Sequence, residues 1–146
     1  MEKQNTRIGR SVVLTLLLGT AFSLGCGQNG VQRAAVHGTV SVAGTPIEAG
    51  SIVFIPTNGN TGPSAGGTIT DGRYDISAKQ GPVLGAHRVE IRGTRKTGVK
   101  VRSPLNPNVM IDEIVEIVPQ RYHSESELTR EIEPGTNEIE FDLEAK

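Results

Sequence analysis

Thr68-Ile69-Thr70 and Arg73-Tyr74-Asp75-Ile76 flank the dipeptide Asp71-Gly72, and no other feature constrains the fold as tightly. Asp-Gly accommodates the two positive φ angles of a type I′ turn, whose twist matches that of paired antiparallel strands. The flanks therefore predict a β-hairpin. A lone hairpin is marginal in water, so the remaining chain must supply strands that extend it and cover its apolar face.

It supplies them at short intervals. Residues 34–43 alternate, with Val36, Val40 and Val42 on one face and His37, Thr39 and Ser41 on the other, as a half-buried strand does. Gly44-Thr45-Pro46 turns the chain. Ile52-Val53-Phe54-Ile55 is a continuous apolar run and predicts a central strand covered on both faces. Residues 56–66 lack periodicity and read as a long loop, and 79–85 as a turn. Residues 87–92 read as a strand with Val89 and Ile91 inward, His87 sharing their parity. Residues 93–110, basic and broken by Pro104 and Pro107, read as a second long loop. Four β-branched residues, Ile114, Val115, Ile117 and Val118, favour strand over helix before Pro119. Residues 128–133 and 137–143 complete the series, the latter with Ile139, Phe141 and Leu143 on one face and Glu138, Glu140 and Asp142 on the other. About seven short strands at this spacing predict an all-β fold, an antiparallel Ig-like or transthyretin-like β-sandwich, preceded by an N-terminal signal helix.

That helix is read from Lys3, Arg7 and Arg10, the apolar stretch 11–22, and Ser23-Leu24-Gly25 ahead of Cys26, the only cysteine. A basic n-region, an apolar h-region and a small residue before the cut are the parts of an export signal, and the run is too short to span a bilayer. A single cysteine excludes an internal disulfide and a cysteine-rich zinc site. Exported as a free thiol it would face an oxidising compartment; lipidation removes that difficulty. The expected organisation is a lipoprotein signal peptide over 1–25, a flexible tether over 26–33 and one β-sandwich domain over 34–146. Cys26 is then the lipidated first residue of a chain held at a cell membrane or outer membrane. An ordinary cleaved signal and an uncleaved anchor are the competing readings.

Charge narrows the partners. The net charge is −1, and loss of residues 1–25 leaves 12 bases and 15 acids, or −3, whereas nucleic-acid binding needs a basic surface. The charge is uneven. Residues 88–102 hold six bases and one acid, and residues 112–146 eleven acids and three bases. Either a pair of solvated surfaces or a charged docking patch accounts for this, and in the basic stretch 95–102 Lys96 and Lys100 are the bases whose reversal tests the patch.

Val36-His37-Gly38-Thr39-Val40, Gly44 through Phe54, Thr70-Asp71-Gly72-Arg73-Tyr74 and Gly85-Ala86-His87-Arg88-Val89 together resemble the carboxypeptidase regulatory-like domain. In that domain a G-x-V strand, a P-x-x-G-x-x-V turn and strand, and a T-D-x-x-G-x-Y/F hairpin recur in this order. This chain departs from it in the tighter Asp71-Gly72 turn. Pro119-Gln120-Arg121-Tyr122, Ser126-Glu127-Leu128-Thr129 and Gly135-Thr136-Asn137 are similar to pieces of small bacterial lipoproteins built from one such domain. Leu24-Gly25-Cys26 resembles a lipobox, with Ser23 where leucine usually stands. The resemblance covers about residues 36–143. It implies a transthyretin-like sandwich at the cell surface and no reaction.

Chemistry read from the residues points the same way. His37, His87 and His123 are isolated, without the short spacing of a zinc site. Asp71 and Asp75 lack a calcium-loop pattern. No Gly-x-Ser-x-Gly elbow, P-loop or dinucleotide fingerprint occurs. A transthyretin-like hydrolase would end in Tyr-Arg-Gly-Ser, and this chain ends Phe-Asp-Leu-Glu-Ala-Lys. The expectation is a non-catalytic module without cofactor or metal, serving binding, assembly or envelope structure. It would meet the membrane through Cys26, and a protein or glycan through its loops. An accessory carbohydrate- or metal-binding domain, with Tyr74 and Tyr122 as the available aromatics, is the alternative.

Overall fold

The computed structural model describes residues 30–145. Cys26, the signal segment before it and the tether up to residue 29 lie outside the described residues. Ten strands run in chain order: β1 (Ala35–Val42), β2 (Thr45–Pro46), β3 (Ala49–Pro56), β4 (Ala65–Thr70), β5 (Arg73–Ile76), β6 (Gly85–Arg102), β7 (Met110–Glu116), β8 (Thr129–Ile132), β9 (Thr136–Glu138) and β10 (Phe141–Leu143). The protein is all-β and mostly antiparallel, as its alternation predicts. The count exceeds seven because three pieces are only two or three residues long.

The Asp71-Gly72 turn forms as its sequence dictates. Both residues have positive φ, 49° and 73°, and Thr70 pairs with Arg73. β5 pairs with the first half of β1, β4 with β3, and β3 with β6. Inward residues of these strands form one core, in which Val36, Ile52, Phe54, Ile69, Val89 and Ile91 are wholly buried. Each such side chain contributes about 1.5–3 kcal/mol by leaving water. The predicted two-sided cover of β3 is only half realised. Val53 and Ile55 are partly exposed, and their cross-strand neighbours on that face are Glu90 and Arg88, an ion pair, rather than a second layer.

β1 changes partners midway. Its first half lies between β5 and β9, and its second half between β2 and β10. The closing segment read as one strand over 137–143 is therefore two, β9 and β10, both parallel to β1. The break falls at Ile139, whose N–H donates to the His37 carbonyl while its own carbonyl turns aside. Any Cβ at Gly38 would overlap that carbonyl, which is why glycine stands there. Tyr74, paired with Gly38 across the sheet, places its hydroxyl 2.8 Å from the same oxygen.

The ends of the sheet are tied by side chains. Between β8 and β9, Asn137 accepts from the Glu133 N–H and donates to the Glu133 and Ala35 carbonyls. The buried Ser126 hydroxyl donates to the Val89 carbonyl and accepts from Leu128 N–H. Tyr122, in a 3-10 turn over Gln120–Tyr122, accepts from Glu144 N–H. The motif residues Tyr122, Ser126 and Asn137 thus have structural work to do.

Candidate functional site

The largest departure from the sequence reading is the basic stretch 93–110. It is not a loop. β6 continues to Arg102, eighteen residues in all, and pairs back on β7. β3 accompanies β6 only as far as Thr94, so the two strands beyond it form a free ribbon, an arm extending from the sandwich. Val99, Val101, Ile111, Ile114 and Val115 supply the β-branched residues that favour this conformation. Pro104 and Pro107, read as strand breakers, sit in the seven-residue connection and interrupt neither strand.

The base of the arm is fixed tightly. Gly93 lies under Ile47 and Val118, where a Cβ would come within 3.0 Å of both. Glu116 accepts from the N–H groups of Gly93 and Val118 at 2.9 and 3.2 Å. Further out, pairing shifts between Lys96 and Lys100, a bulge that Gly98 accommodates with φ 81°. Bulges of this kind guard an exposed edge.

Lys96 and Lys100, in the basic stretch, both reach Asp112 on the paired strand, with Nζ 3.3 and 2.5 Å from its carboxylate. Hydrogen bonds from Lys100, then Lys96, hold the Asp112 carboxyl below the usual carboxylate range. The basic strand is thus partly neutralised by β7. Apolar surface is the more distinctive property of the arm. Among the described residues seven large hydrophobics are exposed, and six of them lie on it: Val99, Leu105, Val109, Met110, Ile111 and Ile114. No residue from Thr94 to Glu116 is buried. Concentration of exposed apolar side chains on one element marks a contact surface.

A second feature is a shallow polar cleft of 380 Å³ on the solvent face of β1, β4, β5 and β9, lined by His37, Thr39, Thr70, Arg73, Asp75 and Glu138 among others. His37 is opposite Asp75 on one side and Glu138 on the other. The three histidines do not converge. His87 is wholly buried, edge-on to Phe54, with Nδ1–H donating to the Gly85 carbonyl and Nε2 without a partner. His123 follows the 3-10 turn. Among the described residues no cluster of three His, Cys, Asp or Glu could hold a metal. Tyr74 turns inward at 4% exposure, and burial pushes its hydroxyl pKa up. Tyr122 is half-buried under the Arg121 guanidinium, 4.7 Å from the ring centroid. Tyr74 offers no open stacking face, and Arg121 covers one face of Tyr122.

The arm could have been found in the sequence. Val99 and Val101 alternate with Lys100 and Arg102, and residues 110–116 mirror them across seven turn-forming residues. The signal was outweighed by two prolines. Comparison of the chain with family models, curated proteins and solved structures finds no match.

Proposed function

We propose that the chain is an exported lipoprotein, anchored through lipid on Cys26, whose sandwich is a non-catalytic binding or assembly module of the cell envelope with the β6–β7 arm as its contact element. The observation that carries this reading is the segregation of surface: six of the seven large hydrophobics exposed among the described residues stand on an element that buries nothing. An enzyme site gathers convergent polar groups in a concave pocket. This element is convex and projects away from the core.

The anchor is supported by the order of basic, apolar and small residues before Cys26. Among the described residues no helix is long and apolar enough to cross a membrane. The chain joins the sandwich at Gln32 and Arg33, where Leu84 N–H reaches the Gln32 carbonyl and Arg33 bridges to Val83. Six residues separate Arg33 from Cys26, and the seven steps between them reach at most about 25 Å. Two or more acyl chains on Cys26 would anchor stably. The domain would then face the periplasm or the exterior. Its ordered β-hairpins suit the carboxypeptidase regulatory-like resemblance.

Metabolic labelling with a palmitate analogue tests the anchor. Wild type is expected to incorporate label and Cys26→Ala to lose it. Equal labelling of the two would sink the lipoprotein reading.

A further inference from the structure

We infer that the tip of the arm is a membrane-contact site for a lipid surface with anionic headgroups, a second attachment besides Cys26. This rests on reading the arm as the contact element and is independent of lipidation at Cys26.

Three observations select lipid over a protein groove. Charge is the first: residues 99–111 hold Lys100 and Arg102 and no acid. Asp112, just below, is occupied by Lys96 and Lys100, which leaves Arg102 as the cation at the tip without an ion-pair partner among the described residues. Shape is the second. Leu105 is 95% exposed at the turn, with Val109, Met110 and Ile111 at 39–54% behind it. That is an apolar wedge with an arginine free of ion pairs behind it, a combination that favours an anionic membrane interface.

The third is the backbone of the turn. Each backbone N–H left unpaired raises the cost of taking a loop out of water. Ser103 N–H donates to the Val109 carbonyl, and Val109 N–H to the Asn106 carbonyl. Leu105 and Asn106 donate to the Ser103 hydroxyl, and Asn108 to the Asn106 side chain. Pro104 and Pro107 have no N–H. Every backbone donor from 103 to 109 is therefore satisfied inside the turn or missing. This lowers the cost of immersing Leu105, and it gives the two prolines a purpose.

The chain has no tryptophan, so Leu105→Trp in the full-length protein places a single, selectively excitable tryptophan at the tip. The protein is incorporated in phosphatidylcholine vesicles with or without phosphatidylglycerol, carrying brominated acyl chains as quenchers. Emission is expected to move to shorter wavelength and to be quenched in the anionic vesicles. Arg102→Gln should lower the ratio of inserted to free tip about fivefold, the effect of one basic residue near such a surface. Thr61→Trp, on the exposed loop after β3, should stay unquenched. Equal quenching of the two probes, or no quenching at the tip, would overturn the inference. So would an emission shift that follows protein concentration without vesicles, which would assign the tip to a second copy. Palmitate labelling reads the anchor separately, so neither failure can be taken for the other.

Discussion

Shortening the arm should leave the sandwich standing. Lys96 and Ile114 are paired, so replacing residues 97–113 with Asn-Gly would close the ribbon there with a two-residue type I′ turn. None of the seventeen removed residues is buried. What is lost is the outer ladder, in which the apolar pair Val101 and Ile111 contributes about 0.2–1 kcal/mol. Against this, the connection falls from seventeen residues to two, about three halvings at roughly 0.6 kcal/mol each. The two effects offset, and the stability of the variant should lie within about 1 kcal/mol of wild type. Urea unfolding followed by far-UV circular dichroism reads this directly. Because the removed surface is already exposed when folded, the denaturant slope should hardly change. A loss above about 3 kcal/mol, or a clearly smaller slope, would show that the arm belongs to the cooperative core. It would then no longer stand as a dedicated contact element.

Two further outcomes probe the interior and the surface. Tyr74→Phe removes the hydroxyl that meets the Ile139 carbonyl and should cost about 1–2 kcal/mol; Gly38→Ala, which forces a Cβ against that carbonyl, should cost about 3 kcal/mol. Thermal unfolding would rank them, and a Gly38→Ala protein as stable as wild type would refute the crossing geometry. Asp142 accepts from the Ser41 hydroxyl and the Gly44 N–H, and these hydrogen bonds, in that order, depress its carboxyl pKa. A pKa lowered on folding contributes stability above the ordinary carboxylate range and loses it as pH falls through the folded-state value. The difference in urea midpoint between wild type and Asp142→Asn should thus be largest near neutral pH and shrink below about pH 4. A difference constant from pH 7 to 3 would remove that coupling.

Much of the sandwich was legible because its rules are local. Asp71-Gly72 specifies its own turn, and parity alone places Val36, Val40, Val89, Ile91, Phe141 and Leu143 inward, all of them buried. What depended on distant partners was not legible. The split of the closing strand at Ile139 follows from Gly38 and Tyr74, which lie 101 and 65 residues earlier in the chain. A period-two pattern carries no trace of that. Likewise the amide of Asn137, which replaces a rung between β8 and β9, reads in sequence only as a turn residue.

The arm was missed for a different reason, and the reason bears on function. Prolines are read as strand breakers because a strand needs its N–H groups, yet a turn that must shed water gains by having fewer of them. Pro104 and Pro107 fall within the connection, and the Ser103 hydroxyl and Asn106 amide take most of the remaining donors. Lys96 and Lys100 likewise read as a basic patch until Asp112 is brought between them. The residues that made 93–110 look like an irregular basic loop are thus those that make a ribbon with a partly neutralised shaft and an apolar, internally bonded tip. Stability resides in the valine and isoleucine core that ends at Gly93 and Val118. Beyond that boundary, with no buried residue to constrain it, the chain can vary its contacts without loss of the fold, which is the division expected on the proposed reading of the arm as a contact element.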